Sequence, residues 1–307
     1  MASGFTVNLS DYVYENRDLL IKDIVLGFAD GDTIRNLTKQ LGVKSKEMLN
    51  YLNVDPALQN GRGCGFNASG TTEFTEREVE TAIIKVNDQW CPDDLLNKYY
   101  EYEVRIGANQ NAEHLPFEAE IMGGIVRGIN KKLEKLVWQG DKSQGDLIDG
   151  FLTQALGADS ASTITAATAN TIYGAVKNVV LAIPEEIYDK AVVFLAPALY
   201  RAYIQELVEK NYFHYDPANG EPVDMFFPGT SIKVHKTMGL EGDKRHIYAS
   251  TWENMVYATD LLDNKEEVRA WFSDDDDLHK VKIKWNSGVA TLFPDAVVVS
   301  TAASDLV

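Results

Sequence analysis

Cysteine is nearly absent from this chain: Cys64 and Cys91 are the only two in 307 residues. They could close at most one bridge, which excludes a secreted disulfide scaffold and agrees with a reducing cytoplasm. The N-terminus has no basic stretch followed by an apolar core, and no apolar run approaches the roughly 18 to 20 residues that span a bilayer. Secretion and membrane insertion are therefore not expected. Positive charge is also scarce. Lys and Arg number 29 against 46 Asp and Glu, a net charge of −17, so long-range electrostatics repel DNA and leave only local, weak contact with it.

Catalytic signatures are missing too. The five histidines, His114, His214, His235, His246 and His279, lie far apart in sequence and show no metal-ligand spacing. No Ser-His-Asp, Cys-His or paired-carboxylate motif has a recognisable context. The run Asp274 to Asp277 lacks the alternating oxygen ligands and terminal Glu of a calcium loop and is expected to be a solvated turn. The aromatic pairs Tyr99-Tyr100 and Phe226-Phe227 suit core or interface positions better than a cofactor box. No catalytic, cofactor-binding or metal-binding residue is assigned.

What is present is a sizeable core. Hydrophobic residues make up 45% of the chain, and a chain of this length buries roughly three quarters of the surface that its unfolded form exposes, as two domains or one elaborated domain. Residues 1–57 read as helical. Ser10 and Asp11 can cap a run carrying Leu19, Leu20, Ile24 and Phe28, and Asp30-Gly31-Asp32 breaks it. A second run, Thr33 to Leu52, has a helix, glycine turn and helix cadence around Gly42 that imitates a DNA-binding helix-turn-helix. Its charges argue against that role: residues 1–57 hold six basic and eight acidic side chains. A helical packing or assembly arm fits better.

From Asn60 to Thr72, Gly61, Gly63, Gly65 and Gly70 make a loop, with no preceding strand and no Gly-Lys-Ser/Thr to bind phosphate. A partly buried strand over Glu78 to Val86 and a short helix opened by Cys91-Pro92-Asp93-Asp94 follow. The longest element runs from about Pro116 to Gln139, with Phe117, Ile121, Ile125, Ile129, Leu133 and Val137 on one stripe. Gly123, Gly124 and Gly128 sit inside it. Each costs roughly 1 kcal/mol relative to Ala, which implies either close packing of another backbone or a point of bending.

Residues 151–261 read as an α/β unit, with a helix over Thr165 to Ala182, a buried strand Ala191 to Ala196 and a helix from Pro197 to Lys210. A turn at Asp216 to Gly220 and strands over Ser231 to Lys236, His246 to Ser250 and Met255 to Thr259 follow. The end reads as a hairpin: Lys280 to Asn286 alternates, Ser287-Gly288 turns, and Val289 to Ser300 returns.

This order of elements, together with Glu134-Lys-Leu-Val-Trp-Gln-Gly-Asp141, Gly150-Phe-Leu152 and the stretch Gly288 to Ser300, resembles the major capsid protein of tailed bacteriophages of the Hong Kong 97 type. The resemblance implies an α+β chain with a helical N-terminal arm at 1–57 and an extended loop at 58–90. It places a peripheral domain with a long spine helix at 91–150, an axial domain at 151–261, and peripheral return strands at 262–307. It also implies a non-enzymatic structural protein, without cofactor, that assembles with itself as hexamers and pentamers into an icosahedral shell around double-stranded DNA. Such a shell is a virion component assembled in the host bacterial cytoplasm. A scaffolding segment ahead of the arm is missing, so the expected partners are a separate scaffolding protein, a portal and possible decoration proteins; maturation by proteolysis is not expected, and no Lys-Asn crosslink is placed. An encapsulin-type nanocompartment shell shares the fold and is the near alternative; a helix-turn-helix regulator is the distant one.

Overall fold

The computed structural model describes residues 9–26, 33–59, 69–91, 117–157, 163–167, 171–212, 226–260, 268–302 and 306. Its centre is a 23-residue helix. Helix α1 (Leu9–Leu26) and the single turn α2 (Thr33–Asn36) precede this long helix, α3 (Phe117–Gln139); α4 (Phe151–Leu156), α5 (Ile172–Ala182) and α6 (Pro197–Glu209) follow. At 1.5 Å per residue α3 is about 34 Å long. It buries Met122, Val126, Ile129, Leu133 and Val137, a spacing of three and four that keeps one face inward. Helix α1 lies across it with Val13, Leu20, Ile21 and Ile24 buried, and the Asn130 side-chain amide donates to the Asp23 carbonyl at 3.1 Å.

Among the described residues, twelve strands form three sheets. They are β1 (Thr38–Leu41), β2 (Lys46–Pro56), β3 (Gly70–Glu80), β4 (Ala82–Trp90), β5 (Thr163–Ala167), β6 (Val192–Leu195), β7 (Lys233–Lys236), β8 (His246–Ser250), β9 (Met255–Thr259), β10 (Arg269–Ser273), β11 (Leu278–Thr291) and β12 (Val298–Ala302). The first sheet has the order β1-β9-β11-β10, with β4 also on β11; the second is β5-β12-β8-β6-β7; the third is the ribbon β2-β3. The second sheet meets the C-terminal end of α3 at Trp138, whose ring centroid lies 5.7 Å from that of Phe151, 5.0 Å from Phe194 and 5.3 Å from Tyr248.

Four sequence expectations are corrected. The helix-turn-helix does not form: β1 pairs in parallel with β9 from Thr38↔Val256, and β2 pairs with β3. Gly42 does turn the chain, at φ 88°, but between two strands. Helix propensity in Lys46 to Leu49 is weak beside eleven residues of cross-strand pairing. The helix expected from Thr165 starts at Ile172, where the Thr171 hydroxyl accepts from the Gly174 amide at 3.2 Å, and Thr163–Ala167 is a strand on β12.

The segment Glu78 to Val86 is two strands, not one. The break is at Thr81, whose amide and hydroxyl both donate to the Ser45 carbonyl, at 2.7 and 3.2 Å. The terminal hairpin is also absent, because β11 runs straight through Ser287-Gly288. Gly288 is there for close approach: a Cβ would sit 2.2 Å from the Glu80 carbonyl oxygen. The strands therefore cross the expected divisions. β12 leaves the first sheet for the second, β9 joins the first, and the ribbon begins at Lys46. The glycines from Gly61 to Gly65, Asp30-Gly31-Asp32, Cys91-Pro92 beyond Cys91, and the turn Asp216 to Gly220 lie outside the described residues.

A buried carboxylate joins three parts of this fold. Glu134, on α3, is 1% exposed. Its Oε1 accepts from the Thr33 amide at 2.8 Å and the Thr237 hydroxyl at 3.1 Å, and Oε2 from the Ile34 amide at 3.4 Å. Because the Thr237 proton goes to Glu134, Thr33 donates in the 2.7 Å hydroxyl pair, and Trp138 Nε1 donates to Thr33 Oγ1 at 3.2 Å. Replacing Glu134 by Ala strands two amides and a hydroxyl. Folding stability is expected to fall by about 3 kcal/mol, and by less for Glu134→Gln, which keeps one acceptor. Urea unfolding of the unassembled chain checks this through a lower midpoint at unchanged slope.

Candidate assembly surfaces

Among the described residues no group of three or more His, Cys, Asp and Glu side chains converges as a metal site, and no helix is long and apolar enough to cross a membrane. The described histidines have other surroundings. His246 Nδ1 lies 2.8 Å from Asp243 Oδ2, His235 packs edge-on to Phe194 and Trp252, and His279 packs against Phe272. Phe227 stacks on Tyr173 at 5.6 Å inside the core, and Phe226 lies under the Lys233 ammonium. Asp274 to Asp277 is the four-residue turn between β10 and β11. His114, His214, Tyr99 and Tyr100 lie outside the described residues.

Among the described residues, the ribbon β2-β3 forms a sheet of its own. Its register runs from Lys46↔Glu80 to Pro56↔Gly70, about 37 Å at 3.4 Å per residue. Its root is anchored by apolar packing and charge. Val79 is fully buried with Val43, Ala258 and Ala290, and Leu49 packs on that cluster. The Lys142 ammonium hydrogen-bonds Glu80 and holds its carboxyl below the usual range, while Lys46 pairs with Glu78. Among the described residues no third strand joins it, and two strands alone are marginal in water. Beyond β2, Leu58 is 99% exposed. Of the apolar residues at the foot of the ribbon and on β4, Val79 and Ile84 are buried within the chain and Ile83 is exposed.

A second surface lies on α3. A Cβ added at Gly124 or Gly128 would meet nothing within 4 Å, and one at Gly123 only the Arg127 guanidinium at 3.6 Å. Close packing by another backbone of the described chain is thereby excluded as the reason for these glycines. Gly128 borders a cavity of about 320 Å³ between α3 and the first sheet, lined also by Ile84, Val86, Ile125, Ile129, Leu136 and Trp285. Sequence reasoning located the glycines by their helix cost, but the outward orientation of Gly124 and Gly128 depends on which face of α3 the sheets cover.

No protein-family model matches the chain, nor does any curated protein. Solved structures do. The satellite phage P4 procapsid including size determination (Sid) protein has a TM-score of 0.63 at 10% identity, over 100% of this chain and 95% of that one. The capsid of Myoviridae phage XM1 has 0.54 at 10%, over 90% and 92%, and a virus-like particle from Pyrococcus furiosus has 0.54 at 10%, over 96% and 100%. The chain has the Hong Kong 97-like capsid fold, in the α+β class.

With open space at both positions, Gly124→Ala/Gly128→Ala is expected to raise the stability of the unassembled chain by up to about 1 kcal/mol per site. Thermal unfolding of the double variant checks this; a fall in melting temperature would mean that α3 needs glycine flexibility even before assembly.

Proposed function

We propose that this chain is a shell-forming structural protein, the major capsid protein of a tailed bacteriophage. Copies associate as hexamers and pentamers into an icosahedral shell around double-stranded DNA. The observation that carries this reading is the ribbon: a chain with a capsid fold carries two long strands that no other described strand completes. A neighbouring copy that covers them would gain roughly 25 cal/mol per Å² of apolar area before ordering costs. Interfaces of this obligate kind bury more than about 2,000 Å².

In this reading residues 1–57 supply the arm and the first ribbon strand, 58–90 the remainder of the extended loop and β4, 91–150 and 262–307 most of the peripheral domain, and 151–261 most of the axial domain. Assembly takes place in the host bacterial cytoplasm with a separate scaffolding protein and portal, and with decoration proteins where the shell carries them. DNA inside is touched weakly and without sequence preference, in keeping with the net charge of −17. Bending of α3 at Gly123, Gly124 and Gly128 during shell expansion belongs to the same reading. The similarity to the Pyrococcus furiosus virus-like particle supports a second one, a nanocompartment shell; nuclease-protected DNA in purified particles separates the two.

The decisive measurement is electron microscopy of the protein made alone and with its scaffold. Closed particles of uniform diameter are the expected outcome. Residues 51–75 are then replaced by a short Gly-Ser turn joining Asn50 to Glu76, which keeps the ribbon root and β4. This variant is expected to fold, with circular dichroism near that of the parent, and to form no closed shells. Normal particles from it would remove the ribbon as an intersubunit clasp.

A further inference from the structure

Helix α3 faces the first sheet with a stripe that lacks one side chain. Ile125, Ile129, Leu133 and Leu136 recur at helical spacing along the cavity beneath it, and Gly128 stands among them. A Cβ at Gly128 would meet no atom within 4 Å. Across the cavity, Trp285 of β11 lies directly opposite Ile84 of β4, and Ile283 opposite Val86. Residues two apart share one face of a strand, so Ile84, Val86 and Trp285 together wall the space that the glycine leaves open. That space is about 320 Å³. Asp88 and Lys132, both exposed, mark where it reaches solvent.

The second observation is a polar atom in the wall. Trp285 is 2% exposed, and its Nε1–H is buried with no acceptor among the described residues. An indole nitrogen can only donate, and a buried donor left unpaired carries its full desolvation cost. Apolar walls with one donor that needs a partner are the pattern of a small-molecule site, where few polar groups orient a mainly apolar ligand. Size sets the scale of that ligand. An engineered apolar cavity of about 150 Å³ takes up benzene, so this one holds two fused rings or a chain of about ten carbons. A charged group would lose its hydration against such walls, which makes an uncharged carbonyl the fitting acceptor.

We propose that the cavity between α3 and the first sheet binds a small uncharged apolar molecule, its carbonyl oxygen accepting from Trp285 Nε1 and its body filling the gap at Gly128. The site lies within one copy and needs no neighbour, so it stands apart from the shell reading. A bound molecule would brace α3 against the sheet at the residue where the helix itself offers no side chain.

The test uses the full unassembled chain and two probes of one size class: Prodan, a fluorescent naphthyl ketone, and naphthalene, which has the rings without the carbonyl. Prodan fluorescence is expected to saturate at one molecule per chain, and naphthalene to displace it. Trp285→Phe keeps an aromatic ring and removes the donor, so it is expected to weaken Prodan by about tenfold and naphthalene by less than about twofold. Gly128→Leu fills the gap and is expected to weaken both by more than about tenfold. Circular dichroism of each variant is the folding control. Should Trp285→Phe fail to fold, tighter binding of Prodan than of naphthalene to the parent, lost in Gly128→Leu, carries the same conclusion. A parent chain that binds neither probe saturably overturns the site. So does unchanged binding by folded Gly128→Leu, which would place the probes elsewhere, or a folded Trp285→Phe that leaves Prodan unaffected or weakens both probes alike.

Discussion

The rest of the structure depends on how the C-terminal third of α3 is held. Glu134 and Trp138, one turn apart on the same face, receive the segment at Thr33 from one side and the segment at Thr237 from the other. A buried carboxylate is costly unless its lone pairs are filled, and here two amides and a hydroxyl fill them. Withdrawing the segment at Thr33 takes two amide donors from Glu134 and the acceptor of the Trp138 N–H at once. The chain after α1 is thus tied to the long helix at a defined point, and everything placed by Thr33 onward inherits that position, including β1 and the root of the ribbon.

Strand β11 carries the position outward. Its first ten residues lie on β4 and β10 and its last four on β9, with the change of partner at Ser287-Gly288. That is where the root of the ribbon crosses, and the Glu80 carbonyl approaches so closely that only a residue without Cβ fits. One strand thereby couples the hairpin bearing Asp274 to Asp277, the sheet beneath α3 and the foot of the ribbon. A displacement of any one of these must be taken up by the others, because a sheet register changes in whole steps.

Elements that bury a face of their own were legible in the sequence. The periodicity of α3 appears within one residue of its observed bounds, Pro197 opens α6, and His246–Ser250 and Met255–Thr259 match to the residue. Elements defined by a distant partner were not. Thr38 to Leu41 is polar enough to read as helix, and only β9, more than two hundred residues later, makes it a strand. Gly42 and Gly288 illustrate the same limit: both signal an irregular need of the backbone, yet one serves a turn and the other a close approach, and the sequence around them is similar in kind.

Charge then sets the terms on which copies can meet. A net charge of −17 makes two chains repel at long range, but at physiological ionic strength that repulsion is screened beyond about 8 Å. Association is therefore decided by what touches. Apolar burial along an incomplete ribbon is non-directional and tolerates slippage, whereas a few opposed charges fix register and reject wrong orientations while adding little affinity of their own. A shell requires both, since area without register gives aggregates and register without area gives contacts too weak to persist. The same backbone that projects the ribbon from Glu80 also crowds Gly288 of β11, so the foot of the ribbon and the first sheet are held together at one joint.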